Sequence, residues 1–240
     1  MVPLDGKVCS ICGERVLSAY AHTEPGEEPM CPVCRRIEMP FARAVAYGSY
    51  EGGLRELIHL LKYGGVRPAA NVLGRMLAEA IAGLEPVFGQ GAVAVIPVPL
   101  HKTKQRQRGF NQAELIARVA VKIRSVAQGR MTLAADALRR QRETQSQIGL
   151  TNHQRRENMR GAFAVTRADE VNGREVVLVD DVYTTGTTAS ECARVLRRAG
   201  ASQVWVATVA RTLKLATRQQ GLNVAEFQSF NVTERMSVFS

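Results

Sequence analysis

The segment Val176–Thr188, VVLVDDVYTTGTT, constrains the fold of this chain more than any other stretch. It begins with four apolar residues, Val176–Val179, which have the composition of a strand buried on both faces. Two adjacent carboxylates, Asp180 and Asp181, come next, and a threonine-rich turn then leads into a segment of helical periodicity. The pattern predicts a strand, a tight turn and a helix, the unit from which parallel α/β sheets are built.

The turn in this segment has the residues of an anion-binding site. Gly186 lets the backbone approach a ligand closely, and the free N–H groups of a helix N-terminus attract negative charge. Four hydroxyl groups surround the glycine, from Thr184, Thr185, Thr187 and Thr188. Phosphate against the threonines and sugar hydroxyls against Asp180 and Asp181 would together be a ribose 5-phosphate. The alternative is an ordinary threonine N-cap beside an acidic pair, and the sequence leaves it open.

Strand and helix patterns alternate through the centre of the chain. We predict strands within residues 44–53, 92–99, 175–179 and 203–210. We predict helices from residue 54 to the glycines at 64 and 65, from 68 through 81, over 111–127 and over 187–199. Residues 139–160 are polar and basic, which predicts a long mobile loop that becomes a short helix near Asn152. The alternation predicts an α/β fold with a parallel sheet.

Four of the five cysteines form two CxxC pairs with 18 residues between them. The pairs are Cys9 with Cys12 and Cys31 with Cys34. This spacing is typical of a structural zinc site, in which each pair turns both sulfurs towards one ion. Disulfides or a redox dithiol are the alternative, although nothing in the sequence indicates an oxidising compartment. We expect Cys192 to lie in the core and His22, between the pairs, to be no ligand.

The charge balance favours anionic partners. Lys and Arg number 32 against 22 Asp and Glu, which gives a net charge of +10. In an extended chain, the alternating Lys102, Lys104, Arg106 and Arg108 would all point to one side. With Arg155 and Arg156 they are a candidate track for single-stranded DNA, to which Phe110 and Phe163 could add stacking. Solvated charge around an anionic substrate explains the same residues equally well.

The segment 176–188 resembles the phosphoribosyl-pyrophosphate (PRPP) fingerprint of type I phosphoribosyltransferases. The chain as a whole is similar to the ComF/GntX family, which is named for a bacterial DNA-uptake protein. The likeness covers roughly residues 5–211. The CxxC pairs come first, and four further motifs follow them in the family's order. They are LKYGG (61–65), PVPLHKTKQRQRGFNQ (97–112), the stretch RQRETQSQIGLTNHQRRENMRGAF (140–163) and the fingerprint itself.

The resemblance implies a Rossmann-like parallel sheet with a small N-terminal four-cysteine zinc module. The expected organisation is a zinc module over 1–40, a phosphoribosyltransferase-like domain over 41–211 and an extension over 212–240 without an assigned role. The start of the sequence has no secretory signal pattern and no stretch has the length of a membrane span, so we expect a cytoplasmic protein.

The resemblance also implies roles for individual residues. Asp180 and Asp181 would bind the ribose 2′- and 3′-hydroxyls, and Tyr183 with Thr184–Thr188 would hold the 5′-phosphate. The loop after the second strand would bind pyrophosphate together with Mg²⁺, through Val98, Pro99, Leu100, His101 and Lys102. Arg142, with Arg140 and Gln145, would belong to a lid over the site. The residues expected to act in catalysis are Asp180, Asp181, Lys102 and Arg142.

Three functional classes remain open at this point. A Mg²⁺-dependent phosphoribosyltransferase would replace the pyrophosphate of PRPP with an acceptor, which the sequence does not identify. A single-stranded DNA-binding competence factor, working with DNA-uptake machinery, could use the same fold as a platform. A regulator could sense PRPP without turning it over, because fold alone does not settle function.

Overall fold

The computed structural model describes residues 8–16, 28–144 and 152–213. Its centre is a five-stranded parallel sheet made of β1 (Arg43–Ser49), β2 (Val93–Pro97), β3 (Met131–Leu133), β6 (Glu175–Tyr183) and β7 (Gln203–Arg211). The strand order in this sheet is β1-β7-β6-β2-β3. A separate antiparallel ribbon pairs β4 (Leu138–Arg140) with β5 (Phe163–Val165). The predicted α/β fold with a parallel sheet is confirmed.

Seven helices connect and cover the strands in the described parts of the chain. They are α1 (Pro32–Arg36), α2 (Gly52–Lys62), α3 (Ala69–Ala82), α4 (Lys102–Arg108), α5 (Gln112–Gln128), α6 (Asn152–Met159) and α7 (Thr187–Arg198). The apolar stripes of α2, α3 and α5 pack on one face of the sheet, and α7 packs on the other. Gly74 brings α3 and α5 close together, because a Cβ there would overlap the Val119 side chain. None of the described helices is long and apolar enough to cross a membrane.

The four cysteines lie at the edge of the sheet formed by β1. An isolated bridge between Val8 and Arg15 closes the first cysteine turn. The N–H of Ala44 in β1 donates to the carbonyl of Ile11 at 2.6 Å, which ties that turn to the edge strand. The cysteine side chains are buried in the same apolar cluster as the α7 face of the sheet. The boundary predicted near residue 40 therefore falls between segments that pack against each other, and it stays a prediction.

Three predictions about local structure were wrong. Lys102–Arg108 is a helix, not an extended strand, because His101 caps its N-terminus through Nδ1 and Gly109 ends it in the left-handed conformation. Residues 138–140 form a strand, where we expected the start of a mobile loop, because they pair with 163–165. The fingerprint strand continues past residue 179 to Tyr183, because Asp180 and Tyr183 pair with Thr208 and Arg211 of β7.

Candidate functional site

The sheet has a topological switch point between β2 and β6. These strands are direct neighbours, with Pro97 opposite Val179, and the N–H of Val98 donates to the carbonyl of Val179 at 2.8 Å. From β2 the chain crosses through α5 to β3, whereas from β6 it crosses through α7 to β7 on the opposite side. Open α/β sheets bind ligands in the crevice that such a divergence leaves at the carboxyl ends of the strands. The loops after β2 and β6 both lie at this crevice.

The turn after β6 presents an uncapped helix N-terminus. Gly186 is the N-cap residue of α7, has φ = 75° and offers no side chain to the first helical N–H groups. The first turn of α7 has no acidic residue. Thr184 and Thr185 are exposed, and the hydroxyl oxygens of Thr185 and Thr187 lie 2.9 Å apart. The hydroxyl groups and the helix N–H groups at this turn together favour a bound anion.

The two adjacent carboxylates have different surroundings. Asp181 is buried, forms an ion pair with Lys62, and accepts a hydrogen bond of 3.0 Å from Nε2 of Gln112. Asp180 is half-buried, interacts with the Asp181 carboxyl group, and accepts a 2.9 Å hydrogen bond from the backbone N–H of Asp181. Asp180, with Thr184, Gly186, Thr188 and Thr208 among its neighbours, lines a small pocket of about 30 Å³ below the turn.

The surroundings set opposite pKa shifts for the two acids. Burial and the negative charge of Asp181 raise the pKa of Asp180 well above its ordinary value. Burial alone would also raise the pKa of Asp181, but the charge and hydrogen bond of Lys62, together with hydrogen bonds from Asp180 and Gln112, outweigh burial and lower the pKa of Asp181. Burial opposes the charge of Lys62 as well, yet the carboxylate of Asp181 raises the Lys62 pKa. Of the two acids, Asp180 therefore holds a proton more readily than Asp181 does.

Three residues that hold this arrangement were not assigned roles in the sequence analysis. Lys62 neutralises Asp181, and Gln112 orients it. Asn111 caps α5 through its Oδ1 and donates from Nδ2 to the carbonyl of Val98 at 3.0 Å, which fixes the start of the β2 loop. All three lie within the family motifs quoted above, and their burial separates them from the exposed polar residues of those motifs.

The loop after β2 borders a larger cleft. Val98 lies under the turn after β6, while Pro99, Leu100, His101 and Lys102 form one wall of a cavity of about 580 Å³. The opposite wall comes from the β4–β5 ribbon and its flanks. Its charged members are Asp136, Arg139, Arg140 and Arg167. A cleft of this size beside the switch point has room for an organic ligand.

The proposed lid residues make local contacts. Arg142 is exposed and donates to the carbonyls of Asn158 and Arg160 at 2.8 and 2.9 Å. Arg140 lies over the Phe163 ring and donates to the hydroxyl of Thr144. These contacts connect the ribbon to the end of α6. Gln145 lies outside the described residues, as does His22.

The basic residues divide between two sides of α4. In a helix, Lys102 falls near Arg106 and Lys104 falls near Arg108, because residues four apart share a face. Arg108 donates to Gln112 and its guanidinium lies 5.5 Å from the centre of the exposed Tyr63 ring. Phe110 and Phe163, the two candidate stacking residues, are both buried in the core. The side chains of Arg155 and Arg156 lie outside the described part of the structure.

The four cysteines of the two CxxC pairs are arranged to hold a metal ion. Their sulfurs all lie within 4.8 Å of one another, and Cys12 Sγ is 3.6 Å from Cys31 Sγ. Bonds of about 2.3 Å to one tetrahedral ion place sulfurs about 3.8 Å apart, so the donor set and spacing fit zinc. A backbone hydrogen bond closes the turn of each pair. The N–H of Gly13 donates to the carbonyl of Cys9, and the N–H of Arg35 donates to the carbonyl of Cys31. Cys192 is buried in the core, as predicted.

A parallel sheet with paired acids and a threonine-rich turn at its switch point has the form of a phosphoribosyltransferase-type domain. The sequence model described as "Phosphoribosyl transferase domain" matches residues 108–235 of this chain. With the relatives described next, the match shows that the chain belongs to the ComF family of phosphoribosyl transferase-domain proteins.

Three curated relatives resemble most of the chain. DNA utilization protein YhgH of Escherichia coli O157:H7 is 32% identical over 218 residues, which cover 86% of this chain and 91% of the relative. Competence protein F of Haemophilus influenzae is 30% identical over 205 residues, or 85% and 84% of the two chains. Competence protein ComFC of Bacillus subtilis is 25% identical over 197 residues, or 82% and 74%.

The opposite pKa shifts predict opposite effects of two isosteric substitutions on stability. A raised native pKa means that Asp180 contributes stability at low pH, which is lost as the pH rises through that pKa. Asp180→Asn should therefore raise the melting temperature of the ligand-free protein, by an increment that grows between pH 5 and pH 9. Asp181→Asn should lower stability by about 3 kcal/mol near pH 7, because it leaves Lys62 buried without its counter-charge.

Thermal unfolding followed by circular dichroism across this pH range measures both effects. Asp169→Asn, at an exposed position of a short 3₁₀ turn, is the matched control and should leave the pH profile unchanged. Equal pH profiles for wild type and Asp180→Asn would show that Asp180 titrates normally.

Proposed function

We propose that this protein binds PRPP with Mg²⁺ at the β2–β6 switch point and transfers the phosphoribosyl group to an acceptor. The observation that carries the proposal is the uncapped N-terminus of α7, ringed by threonine hydroxyls and placed next to the Asp180–Asp181 pair. Anion donors and sugar-hydroxyl partners thus lie side by side. The fold family supports the same ligand.

The 5′-phosphate would bind on the outer side of the turn. The pocket beneath the turn holds only about 30 Å³, room for roughly two water molecules, so a phosphoribosyl group cannot enter it. The hydroxyls of Thr184 and Thr185 are exposed, and the first N–H groups of α7 have no intrahelical acceptor. Charge-assisted hydrogen bonds from these donors would hold the phosphate dianion.

Asp180 would make the direct contact with the ribose hydroxyls. Both oxygens of Asp181 already have partners in Lys62 and Gln112, whereas Asp180 is only half-buried and lies beside Thr184 at the start of the turn. A protonated carboxyl group offers a donor and an acceptor, which suits a diol that also donates and accepts. Asp181 and Lys62 would act by holding Asp180 in place and setting its protonation.

The pyrophosphate would lie in the larger cleft, at the wall formed by residues 99–102. Lys102, Arg139 and Arg167 supply positive charge there. Mg²⁺, when bound, would neutralise pyrophosphate oxygens and take most of its ligands from the substrate and water. In the reaction, the acceptor's lone pair forms a bond to the anomeric carbon as the carbon–oxygen bond to pyrophosphate breaks. The electron pair of that bond leaves with pyrophosphate, whose developing charge the basic residues stabilise.

Zinc is the ion that we propose for the four cysteines. Its place at the sheet edge, outside the switch point, gives it a structural role and no part in the reaction. Four thiolate ligands leave no open coordination position, which is the pattern of structural zinc.

Calorimetric titration with PRPP in the presence of Mg²⁺ tests the binding proposal. Thr185→Val should weaken PRPP binding about 10-fold through the loss of one charge-assisted hydrogen bond. Gly186→Ala should abolish it, because the new Cβ would overlap Oη of Tyr183 and the residue has φ = 75°. Pyrophosphate release from PRPP across a panel of bases and amines then identifies the acceptor.

The control for this titration is Thr132→Val, the same substitution at an exposed position of the edge strand β3. It should bind PRPP like the wild type, and zinc content should be equal in all variants. Wild-type protein that shows no heat of binding with PRPP and Mg²⁺ would overturn the proposal.

A second candidate function is binding of single-stranded DNA along α4. This helix has four basic residues, no acidic residue, and no buried side chain. Beside it, the Tyr63 ring is 73% exposed and lies against Arg108, which is the composition of a base-stacking platform. The names of the relatives connect those proteins with DNA use and competence.

Salt dependence tests the DNA candidate. Affinity for a fluorescent oligothymidine should fall steeply between ~50 and ~200 mM salt, because phosphate contacts release counterions. Lys104→Ala should reduce the salt slope by about one, and Tyr63→Ala should weaken binding at every salt concentration. Lys122→Ala, at an exposed position on α5, is the control. A flat salt profile would exclude a phosphate-contacting groove on α4.

A further inference from the structure

The four-cysteine cluster and the phosphate-binding turn are joined by two buried side chains, Arg211 and Tyr183. Tyr183 is the last residue of β6 and Arg211 the last of β7, and the two are opposite each other in the sheet. The N–H of Thr212 donates to the carbonyl of Tyr183 at 2.9 Å and continues this pairing. Both side chains are almost inaccessible, at 5% and 3% exposure.

Arg211 contacts the cysteine cluster directly. Its guanidinium donates to the carbonyl of Cys12, lies 4.0 Å from Cys12 Sγ, and forms a 2.9 Å ion pair with Glu14. A divalent ion held by four thiolates carries a net charge of about −2. A buried guanidinium is stable only beside compensating negative charge. The loaded cluster would supply such charge, and Glu14 would supply part of it without the ion.

Tyr183 connects Arg211 to the turn. The Arg211 guanidinium lies 4.7 Å from the centre of the Tyr183 ring, and Phe41 meets the same ring edge-on. At its other end, Oη of Tyr183 fills the space beside Gly186 that a Cβ would occupy. A displacement of Tyr183 would therefore move Gly186, the N-cap residue of α7, or remove the contact that holds it.

We propose that Arg211 and Tyr183 are positioning residues through which metal occupancy of the cysteine cluster sets the geometry of the phosphate-binding turn. The inference rests on the proposed function, since it assigns to the distant ion an effect on PRPP affinity. Removal of the ion would leave Arg211 with less counter-charge, shift its contact with Tyr183, and loosen the turn around Gly186. Metal and PRPP would then bind with positive cooperativity.

Thermodynamic reciprocity provides the test. Removing the ion with a chelator should lower PRPP affinity about 10-fold, measured by calorimetry with Mg²⁺ present. By the same factor, PRPP should raise zinc affinity, measured by competition with a chromophoric chelator. The second measurement needs no catalytic turnover. Circular dichroism of the metal-free protein shows whether it stays folded, because unfolding on metal removal would also link the two affinities.

Two variants keep the test decisive if the metal-free protein unfolds. Tyr183→Phe removes only the hydroxyl beside Gly186, and Arg211→Met removes the charge beside Cys12. Both should bind PRPP more weakly than the wild type while the reciprocal effect of PRPP on zinc affinity shrinks towards none. Arg197→Met is the control, because Arg197 also donates to backbone carbonyls, those of Ala201 and Ser202, without contact to either site.

The outcomes separate this inference from the proposed function. The coupling would be overturned, and the proposed function would stand, if the wild type binds PRPP without any change in its zinc affinity and both variants bind PRPP as tightly as the wild type. No PRPP binding by zinc-loaded wild type would overturn both. An equal gain in the two affinities of the wild type, each caused by the other ligand and lost in Tyr183→Phe, would establish the coupling.

Discussion

The buried ion pair between Lys62 and Asp181 is the interaction on which the candidate site depends. It ties the last turn of α2 to the end of β6 and permits a carboxylate to exist where solvent is almost absent. Burial and the negative charge of Asp181 in turn raise the pKa of the neighbouring Asp180. An arrangement that opposes ionisation of one acid costs stability, and such costs are concentrated at sites where function requires them.

Sequence patterns were sufficient wherever one strand or helix determined its own structure. The continuous apolar run at 176–179 and the amphipathic stripe of α7 identified the fingerprint strand and helix without reference to any partner. The end of β6 was missed because Asp180 and Tyr183 are polar, and their place in the sheet comes from pairing with β7. The helix at 102–108 was missed because alternating charge was given more weight than the helix propensity of Lys, Gln and Arg.

The site was predictable to the extent that its ligand groups follow one another in the chain. The turn after β6 and the paired CxxC motifs are local, and the structure brings each together. Lys62 could not be assigned from its motif, because its partner is more than a hundred residues away and only the packing of α2 against the sheet joins them. The connection from Cys12 through Arg211 to Tyr183 depends on strand order in the same way.

The most direct measurement is a crystal structure of the protein with PRPP and Mg²⁺. The account predicts difference density for the 5′-phosphate against the backbone N–H groups that begin α7, with the ribose hydroxyls next to Asp180. Phosphate density confined to the basic residues of α4, with the turn after β6 empty, would contradict it.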